Sequence, residues 1–310
     1  MNIPNIGDSP LVNTQWLSEH LDDPAVRIVD ARWCARFENG RGTSVDNRDA
    51  YLAGHIPGAA FVGMFEELSD PNHIIADMLA PPEQFSEVMS RLGIGSDAIV
   101  VAYDDMAFPL SSARLWWALS YYGHVRVYVL DGGLRQWRRE GRPVSTKNRR
   151  TEPAQFIARP QRSWMATKQD VVAALGQPDI VIVDCLSQEL FRGDGDRHQW
   201  GQRPGHIPGA VNVPFYANVN LALSSATAAE REAFIADNHD LRFHSPEKLR
   251  PLYEAVGVTS DREVITYCGR GYAAACGLLA LRAIGHPKAR LYDGSWSEWS
   301  ADLALPTASG

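Results

Sequence analysis

The pentapeptide HIPGA occurs twice, beginning at His55 and at His206, and it brings its surroundings with it. Upstream of each copy a β-branched run ends in an acid, VRIVDAR with Asp30 and DIVIVDC with Asp184. Downstream come VYVLDGGLRQW and ARLYDGSWSEW, which match Asp131 to Asp293 and Trp137 to Trp299. The three landmarks keep their order at spacings of 151, 154 and 162 residues, a self-similarity that predicts tandem copies of one folding unit. A chain of 310 residues suits that arrangement, at about 100–200 residues per domain.

Each copy alternates short apolar strands with helical stretches. In the second, the pattern predicts strands at 180–183, 210–213, 264–267 and 289–292, with helices at 246–256 and 271–284. Such alternation specifies an α/β fold, here two tandem domains that each carry a parallel sheet with helices on both faces. Ser245-Pro246-Glu247 reads as a helix start, an N-cap followed by proline in the first turn. Residues 143–164 lose the apolar periodicity and gather proline and charge, the composition of a connecting segment. The expected division is a first domain over 1–145, a linker over 146–163 and a second domain over 164–310.

A formal net charge of -7, with no Lys/Arg run longer than Arg138-Arg139 or Arg149-Arg150, excludes the basic surface that a nucleic acid requires. The N-terminus has neither a basic n-region nor an apolar h-region, and nowhere do about 18 apolar residues run together. A cytoplasmic chain with no membrane segment is expected. The four cysteines, Cys34, Cys185, Cys268 and Cys276, make no C-x-x-C pair and are too scattered for a disulfide framework or a zinc ribbon. A calcium loop begun at Asp194 needs a bidentate glutamate where Gly205 stands. No Gly-Lys-Ser/Thr follows the glycine-rich turn after Tyr267, so that turn is not a Walker loop.

That turn, in VITYCGRGYAAACGLLAL from Val264, carries the chemistry. Aligning the copies sets VVAYDD on VITYCG, so Asp104 takes the place of Cys268 and only the second copy is equipped for thiol chemistry. Sites in such sheets form at the carboxyl ends of strands, where a tight loop opens onto a helix N-terminus. Gly269 and Gly271 permit the backbone to curl its N–H groups inward, and the nest and the helix dipole favour negative charge on sulfur. A Cys268 thiol pKa below the ordinary value of about 8.5 is therefore expected, with Arg270 as a fixed positive charge beside it. Tyr272 and Ala273 complete the loop. Cys276, among alanines on the following helix, reads as packing, as do Cys34 and Cys185 near strand ends. His55 and His206, each in a Pro/Gly turn, read as turn architecture rather than metal ligands.

VDARW in the first half, HIPGA twice, VVAYDD…ARLWWAL, CGRGYA and LYDGSWSEW together resemble the tandem rhodanese family of thiosulfate and 3-mercaptopyruvate sulfurtransferases. The resemblance covers nearly the whole chain. It implies an inactive first domain, a catalytic second one, and a site facing the interface between them. It implies transfer of a sulfane sulfur from a small anionic donor to an acceptor, such as cyanide, a thiol or a thioredoxin-like protein. The transfer passes through a persulfide on Cys268, with no metal and no organic cofactor. Gly269, Arg270, Gly271, Tyr272 and Ala273 are then the persulfide-binding loop, and Trp33 matches a family tryptophan that faces the site from the inactive domain. Family members carry donor-binding arginines where this chain has Leu186 and Leu190, so Arg192, Arg197 and Arg203 are the nearby substitutes. The cation at Arg270 points to thiosulfate, whose sulfite leaving group is charged; 3-mercaptopyruvate is the alternative donor. A cysteine phosphatase would need an arginine closing the loop, where Ala273, Ala274 and Ala275 stand. A non-enzymatic rhodanese-like binding module is the reading from another class.

Overall fold

The structure, a computed structural model, describes residues 9–38, 41–148, 151–194, 201, 203–219 and 240–310. Its two halves have the same topology. In the first, β1 (Leu11–Val12), β2 (Val26–Asp30), β3 (Trp33–Glu38), β4 (Arg41–Asp46), β5 (Ala59–Phe61), β6 (Ile99–Tyr103) and β7 (Val127–Leu130) follow in chain order; in the second come β8 (Met165–Ala166), β9 (Ile180–Asp184), β10 (Val211–Asn212), β11 (Glu263–Tyr267) and β12 (Ala289–Tyr292). The first sheet runs β1-β7-β6-β2-β5 and the second β8-β12-β11-β9-β10, each of five parallel strands. Both are flanked by helices. The central strands β6 and β11 are apolar and almost wholly buried, as a parallel sheet covered on both faces requires. The first half adds an antiparallel ribbon, β3 with β4, that pairs Trp33 with Asp46.

The helices at Pro246–Glu254 and Tyr272–Ala283 lie where the pattern places them, although Ser245 makes no side-chain cap bond. The two-residue strand β8 and the ribbon escape the pattern, because neither is long enough or alternating enough to show a period. Residues 151–164 do not hang free. Ala154 N and Phe156 N donate to Ser90, Arg159 N and Gln161 N donate to the Tyr122 and Tyr121 carbonyls, and Phe156 is buried beside Phe85. The segment is a strap whose backbone groups are satisfied by helix ends of the first domain.

Each repeated motif performs the same task twice. His55 stacks on Tyr51 and His206 on Phe191, and each histidine pairs through its backbone with the tail of its own domain, at Ser145 and Ala308. Trp137 and Trp299 donate their indole N–H to the carbonyls of Pro143 and Pro306, at 2.7 and 2.8 Å. The histidines are turn architecture, as their Pro/Gly setting predicts.

Between the halves, helix Ser111–Tyr121 packs on helix Tyr272–Ala283 within one apolar core that spans both domains. Residues 111–120 and 273–281 are all buried, and a helix buried all round belongs to a shared interior rather than to a surface. Two hydrogen bonds from backbone to carboxylate cross the interface reciprocally: Leu79 N donates to Asp293 Oδ2 (3.0 Å) and Phe243 N to Asp131 Oδ1 (2.8 Å). Among the described residues no helix is long and apolar enough to cross a membrane.

Candidate active site

β11 delivers Cys268 to the carboxyl edge of the second sheet, and helix Tyr272–Ala283 begins four residues later. Between them Gly271 adopts φ +83°, in the left-handed region open chiefly to glycine, and its N–H donates to the Cys268 sulfur at 3.1 Å. A β-carbon on Gly271 would also collide with Arg114 Nη1. The loop is held from behind: the Ser295 hydroxyl accepts from Cys268 N at 3.2 Å and donates to the Tyr292 carbonyl at 2.8 Å. Trp296 N and Ser297 N donate to the carbonyls of Cys268 and Gly269.

Cys268 is 2% exposed and lies in a cavity of about 160 Å³. Gly269, Arg270, Tyr272 and Ala273 line it from the loop, and Leu186 and Phe215 from the rest of the second domain. The first domain supplies Trp33, Ser44, Phe65, Asp77 and Leu110. Phe65 stacks on Tyr272 and meets Trp33 edge-on, so an aromatic wall runs across the domain boundary. A far larger groove, about 1140 Å³, opens beside Ala25, Arg27 and Ile99. It lies at the amino ends of β2 and β6, whereas sites in such sheets form at the carboxyl ends.

Two electrostatic expectations are corrected. Burial pushes the Cys268 thiol above its ordinary value, and the backbone N–H groups of Ala274, Arg270 and Gly271 only partly offset this. The sulfur sits beneath the loop, where desolvation of the thiolate outweighs the nest that was expected to lower the pKa. Arg270 is not a bare positive charge beside the sulfur either, since its guanidinium pairs with Asp77 at 2.6 Å. What Arg270 gives the sulfur is its N–H.

The substitutes for the missing arginines also fall away. Arg203 donates to the carbonyls of Trp299, Ser300, Asp302 and Leu305, closing the C-terminal end of helix Ser295–Ala301. Arg192 is exposed at the end of helix Gln188–Arg192 and does not line the cavity, and Arg197 lies outside the described residues. Leu186 occupies the place that Arg32 holds in the first domain. There Arg32 pairs with buried Asp30, whereas Leu186 gives the cavity an apolar wall. Trp33 lines the cavity from the first domain.

Sequence reasoning missed Phe65, Asp77, Arg114 and Ser295. Arg114 carried a signal: a cation inside an otherwise apolar, fully buried helix must find a partner. It ion-pairs with Asp293, donates to the Asp77 carbonyl at 2.9 Å and lies over the Tyr272 ring. In the first domain Asp104 repeats the Cys268 geometry with a carboxylate, accepting from Ser112 N and Oγ, both at 2.9 Å. Burial pushes its pKa up to about 7. Cys185 and Cys276 are fully buried, and burial raises both thiols; Cys34, on the ribbon, is partly exposed.

Two like parallel sheets that meet over a strand-end cysteine, present in one copy and replaced in the other, define a class of tandem α/β proteins with one thiol loop at the domain interface. The rhodanese-like domain family matches residues 13–140 and 167–302, and the chain belongs to that family. It is 34% identical over 295 residues to the 3-mercaptopyruvate sulfurtransferase of Escherichia coli, covering 95% of this chain and 96% of that one. The bovine thiosulfate sulfurtransferase is also 34% identical over 295 residues, covering 93% and 91%. A crystal structure of the Escherichia coli 3-mercaptopyruvate enzyme superposes with a TM-score of 0.77 at 31% identity, covering 93% of this chain and 99% of that one. The chain is a sulfurtransferase, with a sulfur donor and a sulfur acceptor as its substrates.

Proposed function

We propose that Cys268 is the nucleophile and carries the transferred sulfur as a persulfide. The observation that supports this most is the Gly271 N–H at 3.1 Å from the sulfur, at the floor of a cavity that both domains close. The thiol first loses its proton to solvent or to the donor. The thiolate then attacks the donor's outer sulfur; the new S–S bond forms as the bond to the rest of the donor breaks, and its electron pair leaves with sulfite from thiosulfate, or with the enolate of pyruvate from 3-mercaptopyruvate, which takes the proton that the donor's thiol gives up. The intermediate divides one difficult displacement into two easier ones. Its terminal sulfur extends about 2 Å beyond Sγ, and the loop amides stabilise the negative charge it carries, as an oxyanion hole does for oxygen. An acceptor thiophile, whether cyanide, a small thiol or the thiol of a thioredoxin-like protein, removes that sulfur and restores the thiolate. The loop from Gly269 to Ala273 holds the persulfide, and no cofactor enters the scheme.

Relatives of both kinds are 34% identical to this chain, with the 3-mercaptopyruvate enzyme covered slightly further, and the cavity adds to that lean. The argument for thiosulfate needs the Arg270 cation, and Asp77 already neutralises it. With Leu186 in the wall as well, the geometry favours the singly charged donor, 3-mercaptopyruvate. Intact mass after incubation with each donor tests both statements. The wild type should gain one sulfur atom, faster from 3-mercaptopyruvate, and Cys268→Ser should gain none. Sulfur retained by Cys268→Ser would refute the nucleophile.

A further inference from the structure

Asp77 sits in the left-handed region, φ +64°, which its short polar side chain tolerates, and hydrogen bonds hold the segment from both sides. Its carbonyl accepts from Arg114, and Leu79, two residues on, donates to Asp293. The first domain thus pins this residue over the loop of the second, and its carboxylate meets the Arg270 guanidinium at 2.6 Å. Both side chains line the cavity and are largely buried, at 15% and 19% exposure. The remaining walls above Cys268 are Trp33, Phe65, Leu110, Leu186 and Phe215, with Ser44 as a polar member. An apolar cavity of this size, near 150 Å³, accepts a benzene ring.

We propose that Asp77 is a specificity-determining residue: by cancelling the Arg270 charge at the cavity wall, it turns the site from dianionic donors toward organic sulfur donors that bear one charge and an apolar body. The inference rests on sulfur transfer through Cys268. Without Asp77 the wall carries a net cation that would hold a thiosulfate dianion; with it, a second negative charge on the donor finds no counter-charge there and loses its hydration on entry. An aryl thiosulfonate is the matching probe. The thiolate attacks its outer sulfur, the Cys–S–S⁻ bond forms, and the electron pair of the broken S–S bond leaves on a sulfinate, so atoms and charge balance without an oxidant or a reductant.

The test compares kcat/KM for thiosulfate with kcat/KM for benzenethiosulfonate, with cyanide as acceptor. Asp77→Asn keeps a side chain that tolerates the left-handed region. It should raise the thiosulfate-to-benzenethiosulfonate ratio about tenfold, and the rise should shrink at high salt. Arg270→Ser should move the ratio the other way, because Asp77 then stands alone as an anion, and the double variant should fall between the two. A rise under about threefold in Asp77→Asn, or a shift in the same direction in both single variants, would overturn the assignment. If the wild type gains no sulfur from any donor, the sulfurtransfer scheme through Cys268 fails first and the inference goes with it. A persulfide that forms with a ratio indifferent to Asp77 rejects the inference alone.

Discussion

Gly271 stands at the meeting point of backbone, nucleophile and interface, and its replacement by alanine separates the contributions. The position has φ +83°, and a β-carbon there would collide with Arg114 Nη1 and approach Asp293 Oδ1 to 3.1 Å. Forcing an alanine into the left-handed region costs about 1–2 kcal/mol. Displacing the guanidinium breaks an ion pair whose side chains are each 3% exposed, and leaving a buried charge without its partner costs a further 3–5 kcal/mol or so. Gly209 supplies the control, because its φ is +78° and an added β-carbon there meets nothing within 4 Å. Urea unfolding should therefore show a loss of about 1–2 kcal/mol for Gly209→Ala and about 4–7 kcal/mol for Gly271→Ala. The second loss is a large part of the roughly 5–15 kcal/mol that holds a typical fold together. Persulfide formation should be slowed only in Gly271→Ala, which moves the N–H away from the sulfur. Equal losses in the two variants, within about 1 kcal/mol, would mean that the guanidinium swings aside freely and that the Arg114–Asp293 pair does not brace the loop.

Other outcomes follow from the same geometry. Cys268→Ser should lose all turnover, while Cys34→Ser, Cys185→Ser and Cys276→Ser should keep most of it in a cyanide-coupled assay; comparable loss in any of the three would indicate a relay of thiols. A fragment spanning 164–310 should turn over poorly and aggregate, because it lacks Trp33, Phe65, Asp77 and Arg114 and exposes the buried helix Tyr272–Ala283; full activity would dismiss the interdomain site. Burial raises the Cys268 thiol, so at neutral pH the thiolate is scarcer than for a free thiol. Single-turnover persulfide formation with thiosulfate, a donor that carries no thiol proton of its own, should then still be rising with pH above about 8.5, the ordinary thiol value. A plateau reached by pH 7 would show that the loop amides outweigh desolvation.

What the sequence disclosed was whatever is written locally. HIPGA, the DG-to-Trp segment and the strand leading into Cys268 are short contiguous stretches, so their order and spacing alone reveal duplication and sheet class and single out Cys268 as the candidate nucleophile. The rest depends on distant contacts. Asp77 and Phe65 lie in a segment without period and reach the loop only once two domains have packed. Arg203 looked available for an anion because nothing near it in sequence foretells the four carbonyls it serves. Arg270 was correctly placed in the loop and wrongly taken as bare, since its neutralising partner lies 193 positions away. The thiol's upward shift has the same origin, because burial of the sulfur is a property of the assembled interface.

The duplication sets a carboxylate in one copy where the other carries the thiol, at the same place in the fold. At the end of β6 the Asp104 carboxylate accepts two hydrogen bonds from Ser112, so it fastens the start of the following helix. At the end of β11 the sulfur accepts from the loop amides, Gly271 N–H at 3.1 Å among them, and faces the cavity. A carboxylate committed to capping stabilises; a thiol left partly uncommitted can react. The facing helices divide the same way: Arg114 reaches from the first domain to brace the reactive loop, while Cys276, 162 residues further on, is a small buried side chain. The interface is symmetric in its two amide-to-carboxylate bonds, Leu79 to Asp293 and Phe243 to Asp131, and asymmetric in the other side chains around them. That asymmetry places the first domain's charges and aromatic rings around the Cys268 sulfur, so the first domain serves as one wall of the cavity above it.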